Sequence, residues 1–349
     1  MSTLVFCTGG GQQSGIGHVM RCQALAQAAE EQGLDSVFIV NPAARQFILQ
    51  RHDWTGRVEL AVEGENALIE QLLNTADSAE AALIVLDGYG FSEAFIRAIS
   101  VANAPLLLLD DIRQPGYQYA DIICNPAGEP WRDAYAQANP GALLCLGAGF
   151  RLLRREFVAT NPLPLAQRFS LTVNLGGSDP TGLTLPLLKA LCHELPEAPF
   201  RVVTGPGFDG ASLSALADFI ATSECAIQHI HNCQDMADLW VNSRLAVAAA
   251  GGSQFELAAC HTPSVLLVVA ENQRQASNQA ASQGWCEVFE ATDVVALNAL
   301  AARVKALWHD DKQLNTMYES AAPVAVRDGA WQLMAAIATW RNRTMETSC

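Results

Sequence analysis

Gly15-Ile16-Gly17-His18-Val19-Met20-Arg21-Cys22 is the stretch that decides the fold. An apolar run, Leu4-Val5-Phe6-Cys7, and a loop from Thr8 to Ser14 containing Gly9, Gly10 and Gly11 precede it. An amphipathic run continues to Gln32, where Gly33 stops it. Strand, glycine loop and helix form the first turn of a ligand-binding α/β domain. Glycines let backbone approach a ligand closely, and the helix N-terminus favours anions. His18 stands at that helix start. It can cap or pack, or it can act as a general base aimed into a cleft, since imidazole changes charge near neutral pH. Its place between a glycine loop and a helix favours the base. No Lys-Ser or Lys-Thr follows the glycines, so this is not a phosphate-loop motif.

Working outward, short apolar runs alternate with helical patterns. Ser36 to Val40, Arg57 to Val62, Ala82 to Leu86, Pro105 to Leu109, Asp121 to Cys124 and Leu143 to Leu146 read as strands. Helical patterns at 44–51, 65–77 and 92–101 fall between the earlier ones. Continuous apolar strands separated by helices imply a parallel sheet covered on both faces. Asn161-Pro162-Leu163-Pro164 interrupts the series and reads as a linker. A second series follows, with strands at 170–175, 200–204, 226–230, 245–249 and 264–268, and helical runs at 294–308, 310–322 and 329–341 close the chain. The expected fold is therefore α/β: two Rossmann-like, doubly wound domains facing across a cleft. The expected domains are residues 1–162, with the His18 loop, and 163–327. A C-terminal helix within 328–349 is expected to pack back on the first domain.

The 349 residues are half hydrophobic and 16% charged, with a formal net charge of -15. That balance argues against nucleic acid or an anionic membrane as partner. The apolar runs are strand length, too short to span a bilayer, and the N-terminus lacks the basic and apolar regions of a signal peptide. None of the ten cysteines forms a Cys-x-x-Cys pair. They read as buried, reduced thiols, which places the protein in a reducing compartment, the cytoplasm. No His/Asp/Glu cluster has ligand spacing, so no metal and no cofactor is expected. Oligomeric state is left open.

Four loops follow apolar strands and carry the candidate chemistry. Besides the His18 loop they are Asp87-Gly88-Tyr89-Gly90, Gly176-Gly177-Ser178-Asp179-Pro180 and Gly251-Gly252-Ser253. The last two are small-residue turns feeding helices. They suit a diphosphate or sugar, or plain turn chemistry. Ser253 stands in a capping position. Glu256, one turn on, suits ribose hydroxyls or the helix dipole equally. Ala270-Glu271-Asn272-Gln273 ends a strand with polar side chains, and Asn272 serves either a turn or a substrate amide. Tyr89 packs, or binds a sugar face or a water.

In order along the chain, the residues Gly15-x-Gly17-His18-x-x-Arg21, Asp87-x-Tyr89-Gly90, Asp110-Asp111, Gly149-Phe150-Arg151 with Arg154-x-Glu156-Phe157, Asn174-x-Gly176-Gly177-x-Asp179, Gly251-Gly252-Ser253 with Glu256, and Glu271-Asn272-Gln273 together resemble the PseG/SpsG family, the UDP-sugar hydrolases of pseudaminic acid biosynthesis. More distantly the pattern is similar to MurG and other glycosyltransferases of the GT-B fold. The resemblance implies metal-free, inverting hydrolysis of UDP-2,4-diacetamido-2,4,6-trideoxy-β-L-altropyranose to UDP and the free sugar. It implies His18 as the base that activates water, Tyr89 as the group that helps place that water, and Asn272 in the substrate pocket. Gly15, Gly17, Arg21, Asp87 and Gln273 would line the same pocket. Gly176, Gly177, Ser178, Gly251, Gly252, Ser253 and Glu256 would hold UDP. The chain departs from the family pattern in its first loop, Thr8 to Ser14, and at Gly88, where the family carries a larger side chain. The competing readings are a glycosyltransferase on the same fold and a non-catalytic nucleotide-sugar binding protein.

Overall fold

The computed structural model describes residues 3–11, 15–290 and 294–347. The elements of the first half run β1 (Thr3–Thr8), α1 (Gly17–Glu30), β2 (Asp35–Val40), α2 (Pro42–Ile48), β3 (Arg57–Leu60), α3 (Glu65–Ser78), β4 (Ala81–Asp87), α4 (Glu93–Ile99), β5 (Leu106–Leu109), β6 (Ile122–Asn125), α5 (Arg132–Ala138) and β7 (Leu143–Leu146). The remainder runs α6 (Arg155–Ala159), β8 (Ser170–Asn174), α7 (Thr184–Glu194), β9 (Phe200–Thr204), α8 (Gly210–Thr222), β10 (Ile227–His231), α9 (Met236–Val241), β11 (Ser243–Ala249), α10 (Ser253–Ala259), β12 (Ser264–Val268), α11 (Arg274–Ser282), β13 (Cys286–Glu290), α12 (Val294–Trp308), α13 (Asp311–Ala321) and α14 (Gly329–Thr347).

The chain divides into two compact units. One comprises residues 1–10, 18–155 and 326–349, the other residues 11–17 and 156–325. The first contains a seven-stranded sheet in the order β3-β2-β1-β4-β5-β6-β7. Its strands pair in parallel throughout. Val5, Cys7, Ile84, Leu86, Leu106 and Leu108 share one buried face of it with Leu72, Phe95 and Ile99. Apolar side chains at alternate positions of a central strand have nowhere else to go once helices cover the sheet. α14 packs against β7 within this unit: Gly329 lies against the Arg151 backbone and the Trp331 indole donates to Glu31 at 2.6 Å.

The second unit contains a six-stranded parallel sheet, β10-β9-β8-β11-β12-β13. Leu171, Val173, Phe200, Val202, Val247 and Leu267 form its core with Leu187, Leu191 and Val304. Both sheets are doubly wound, and each reverses its strand order once, between β1 and β4 in the first and between β8 and β11 in the second.

Among the differences from the sequence expectation, three have a plain physical cause. β3 stops at Leu60, because the Val62 amide donates to Gln71 Oε1 at 2.9 Å and leaves the ladder. α4 is shorter at both ends, and the Ser92 hydroxyl caps it by accepting from the Phe95 amide at 3.0 Å. β13 is an additional strand at the sheet edge, where Glu287 and Glu290 break up the apolar run. Among the described residues no helix is long and apolar enough to cross a membrane.

Candidate functional site

In an open α/β sheet, ligands bind outside the carboxyl ends of the strands at the point where strand order reverses. In the first unit that point is the β1/β4 pair, with Thr8 opposite Asp87 and Asp87 opposite Leu109 on β5. The register therefore brings the end of β4, the start of α1 and the residues just after β5 together.

His18 is the second residue of α1 and is buried. Its Nδ1 lies 2.8 Å from Asp87 Oδ1. Arg21, three residues on and hence on the same helix face, donates from Nε to Asp87 Oδ2 at 2.7 Å and from Nη2 to Oδ1 at 2.5 Å. The Cys22 thiol adds a contact to Oδ2 at 3.4 Å. Asp87 is 0% exposed. Burial alone would raise its carboxyl, but the Arg21 guanidinium, followed by His18, outweighs burial and holds it well below the usual carboxylate range. Burial first, then the Asp87 charge, pushes the Cys22 thiol far above its ordinary value, so Cys22 remains a neutral donor.

The other edge of Arg21 engages Asp111, with Nη1 at 2.8 and 2.9 Å from its two oxygens. Burial works to raise the Asp111 carboxyl, and Arg21 overrides it to leave a lowered value. Burial would likewise lower Arg21, but Asp111 and Asp87 drive it up. Tyr89 donates its hydroxyl to Asp111 Oδ2 at 2.7 Å, and its ring stands edge-on to His18 with centroids 4.7 Å apart. His18, Arg21, Asp87 and Tyr89, selected from the sequence, thus converge. Asp111, quoted from the sequence only as part of the Asp110-Asp111 pair and given no role there, joins them. The neighbouring Asp110 has a structural task, accepting from the Ile112 and Gln114 amides and the Tyr135 hydroxyl.

The network assigns the imidazole tautomer. A carboxylate only accepts, so Nδ1 must carry the proton that faces Asp87. Arg21 Nη2 lies 3.2 Å from Nδ1 because both donate to the same oxygen. The Nε2 lone pair is then free, and among the described residues no hydrogen bond engages it.

Gly15 closes a tight loop with Gly11 through reciprocal amide bonds of 3.0 and 2.8 Å, and Gly17 opens α1. Gln12, Gln13 and Ser14 lie outside the described residues.

At the β8/β11 reversal in the second unit the construction differs. Gly176 has φ +95°, a conformation that suits glycine, and starts the turn after β8. Asp179 completes it: its carboxylate accepts from the Thr184 amide at 2.7 Å and the Leu183 amide at 3.1 Å, at the start of α7. Gly177 carbonyl accepts from the Gly207 amide at 3.0 Å. A Cβ on Gly205 would stand 2.4 Å from that carbonyl, so the Gly205-Pro206-Gly207 turn closes directly on Gly177. This second turn was not selected from the sequence, although it follows the Phe200–Thr204 strand. Ser178 is half-buried beside it.

After β11, Gly251 and Gly252 lead into α10. Contrary to the sequence expectation, Ser253 is no cap: Gly252 occupies that position and no side chain caps the helix, because the chain enters already in helical geometry. Gln273 Oε1 accepts from the Val269 amide at 3.0 Å, and its amide nitrogen would lie 3.6 Å from a Cβ on Gly251. Glu256 accepts from the Trp240 indole at 3.2 Å. Asn272 lies in the short helix Glu271–Gln273; its side chain is outside the described part of the structure. Among the described residues no group of three or more His, Cys, Asp or Glu side chains is placed to hold a metal ion.

The two doubly wound units define the GT-B fold class. No family model matches the chain. In sequence it is 24% identical over 285 residues to the spore coat polysaccharide biosynthesis protein SpsG of Bacillus subtilis, covering 79% of this chain and 80% of that one. It is 23% identical over 280 residues to an uncharacterized protein of Methanocaldococcus jannaschii, covering 78% of this chain and only 57% of the relative's length. Among solved structures it is similar to Staphylococcus aureus MnaA with UDP (TM-score 0.68, 11% identity, 98% of this chain and 97% of that one). It is also similar to Anabaena HepE with UDP (0.61, 16%, 99% of each) and Acinetobacter baumannii MurG (0.60, 15%, 97% and 100%).

Proposed function

We propose that the chain is a metal-independent, inverting UDP-sugar hydrolase. The observation that carries this reading is the 2.8 Å contact between His18 Nδ1 and Asp87, which orients an imidazole with Nε2 ready to take a proton. Water loses a proton to Nε2 as its oxygen bonds the anomeric carbon. The carbon–oxygen bond to the diphosphate breaks on the opposite face, and UDP leaves with the electron pair. The imidazolium then returns its proton to phosphate or solvent. Asp87 stabilises the imidazolium without itself taking the proton. The Gly176-Gly177-Ser178 and Gly251-Gly252-Ser253 turns hold UDP with Glu256 on the ribose, while Gly15, Gly17, Asn272 and Gln273 line the sugar site.

The MnaA and HepE structures contain UDP, and the sequence relative SpsG is a spore coat polysaccharide biosynthesis protein. These support a nucleotide-sugar substrate. The resemblance to the PseG/SpsG pattern supports a UDP-diacetamido-trideoxyhexose on a route to a pseudaminic acid-type sugar. Seven of the nine cysteines among the described residues are buried, in keeping with small apolar thiols, and this supports a reducing compartment, the cytoplasm.

The test is incubation with UDP-amino sugars, with and without soluble acceptors. UDP release without acceptor is the expected result, and it should survive EDTA. Release that requires an acceptor would make the chain a glycosyltransferase, and binding without release a carrier. His18→Asn should retain the fold and lower turnover by roughly 10²–10⁴ with a much smaller change in KM. A variant within a few-fold of wild type would remove His18 from the role of base.

A further inference from the structure

We propose that Asp111 is a positioning residue for the attacking water: it fixes the Tyr89 hydroxyl as an acceptor and supplies negative charge that favours a protonated His18. The proposal rests on the hydrolase reading above.

A tyrosine hydroxyl has one proton to donate. Tyr89 donates it to Asp111 Oδ2 at 2.7 Å, so any further hydrogen bond at that oxygen must be accepted. Tyr89 is 42% exposed and its ring stands against the His18 ring. A water bound there gives one proton to His18 Nε2 and the other to Tyr89 Oη. Both water protons are then directed at protein, and a lone pair is left for the anomeric carbon. Without Asp111 the Tyr89 hydroxyl can rotate and donate to the water, which turns that lone pair away.

Asp111 is held in turn. Arg21 grips both its oxygens from Nη1 and fixes Asp87 from Nε and Nη2. One planar guanidinium thereby sets the angle between the carboxylate that orients His18 and the carboxylate that orients Tyr89. The charges also count. Asp87 and Arg21 contact His18 directly, and Asp111 adjoins it through Arg21 and Tyr89, while the Cys22 thiol is neutral. With neutral imidazole the cluster carries one net negative charge, and proton uptake by His18 neutralises it. Loss of the Asp111 charge leaves Arg21 balanced by Asp87 alone, and the imidazolium becomes less favourable.

The test is the pH dependence of UDP release by Asp111→Asn, Tyr89→Phe and the double variant, with His18→Asn as the control for the hydrolase reading. Asp111→Asn should lower kcat roughly ten- to a hundred-fold with KM nearly unchanged, and should move the acid limb of kcat/KM to lower pH by about half to one pH unit. Tyr89→Phe should lower kcat and leave the acid limb in place. Asp111→Asn should cost less in the Tyr89→Phe background than alone, because part of its effect runs through that hydroxyl. A purely structural Asp111 would lower thermal stability and leave the limb unmoved, which would overturn the proposal. Equal cost in both backgrounds would overturn it too. If Asp111→Asn does not fold, unchanged turnover in Tyr89→Phe, whose side chain is partly exposed, is sufficient to reject it. If wild type releases no UDP, the hydrolase reading fails by itself. The His18 imidazole titration by NMR in wild type and Asp111→Asn then decides the charge coupling: a lower titration point in the variant supports it, and an unmoved one rejects it.

Discussion

At the β1/β4 reversal the carboxyl edge of the sheet carries charged side chains locked to one another; at the β8/β11 reversal it carries glycines and short turns. In the first region Arg21 ties Asp87 to Asp111 and His18 is oriented by the outcome. In the second, Gly177 and Gly205 touch backbone to backbone, and Gly252 has open space where a side chain would be. The first region suits proton transfer, which needs titratable groups at fixed angles. The second suits an anion recognised through main-chain amides. The difference teaches that the same topological position, repeated in one chain, can be furnished for chemistry or for cradling. It also gives the two regions opposite responses to mutation.

The largest effect on stability is expected at Arg21. Arg21→Met removes the shared counter-ion of two carboxylates, one of which is wholly inaccessible to solvent. Breaking a buried ion pair from one side costs about 3–5 kcal/mol, since the remaining charges stay buried. Urea unfolding reads this directly. A loss under about 1 kcal/mol would mean the first region is not held together by charge, and the contrast with the second would collapse.

A smaller, pH-resolved effect follows from Asp87. Its folded carboxyl lies below its unfolded value. Ionised Asp87 therefore adds stability that is complete above the unfolded pKa of about 3.9. As pH falls below that value the unfolded state takes up the proton first, and the contribution shrinks until the folded group protonates as well. The stability difference between wild type and Asp87→Asn should narrow on acidification below about pH 4. Parallel curves down to pH 2.5 would show that Arg21 and His18 do not hold the carboxylate ionised.

The sequence was most informative where one stretch contained the whole signal. Leu83 to Leu86 and Leu106 to Leu109 are continuous apolar runs, and such runs announce central parallel strands without help from the rest of the chain. Glycine turns after strands are legible for the same reason, since the turn and its glycines are neighbours in sequence. β13 was missed because an edge strand half open to solvent can alternate Glu with Val and Phe, and over five residues that alternation is weak. The role of Asp111, though not the Asp110-Asp111 pair itself, was missed for a different reason. Its role depends on Arg21, 90 positions away, and on Tyr89, 22 away. A long-range contact of this kind has no local period. Gly205 was missed in the same way, because only the closure of its turn on Gly177 gives it meaning. Even Arg21, expected to face a sugar, directs its donors at two carboxylates that lie far from it in sequence.

The smallest effect on stability, with a large one on binding, is expected at Gly252, where the second region is sharpest. Its φ and ψ are -56° and -28°, ordinary helical values, and a Cβ there meets no atom within 4 Å. Gly252→Val should therefore fold with stability within about 0.5 kcal/mol of wild type. The added branched side chain stands where a diphosphate would approach the amides at the start of α10. If that loop cradles UDP, calorimetric titration should show affinity reduced by about tenfold or more, equivalent to roughly 1.4 kcal/mol. Unchanged affinity in a folded variant would move the nucleotide off this turn. A large loss of stability would instead show that the turn is packed rather than open, and would make the second region resemble the first.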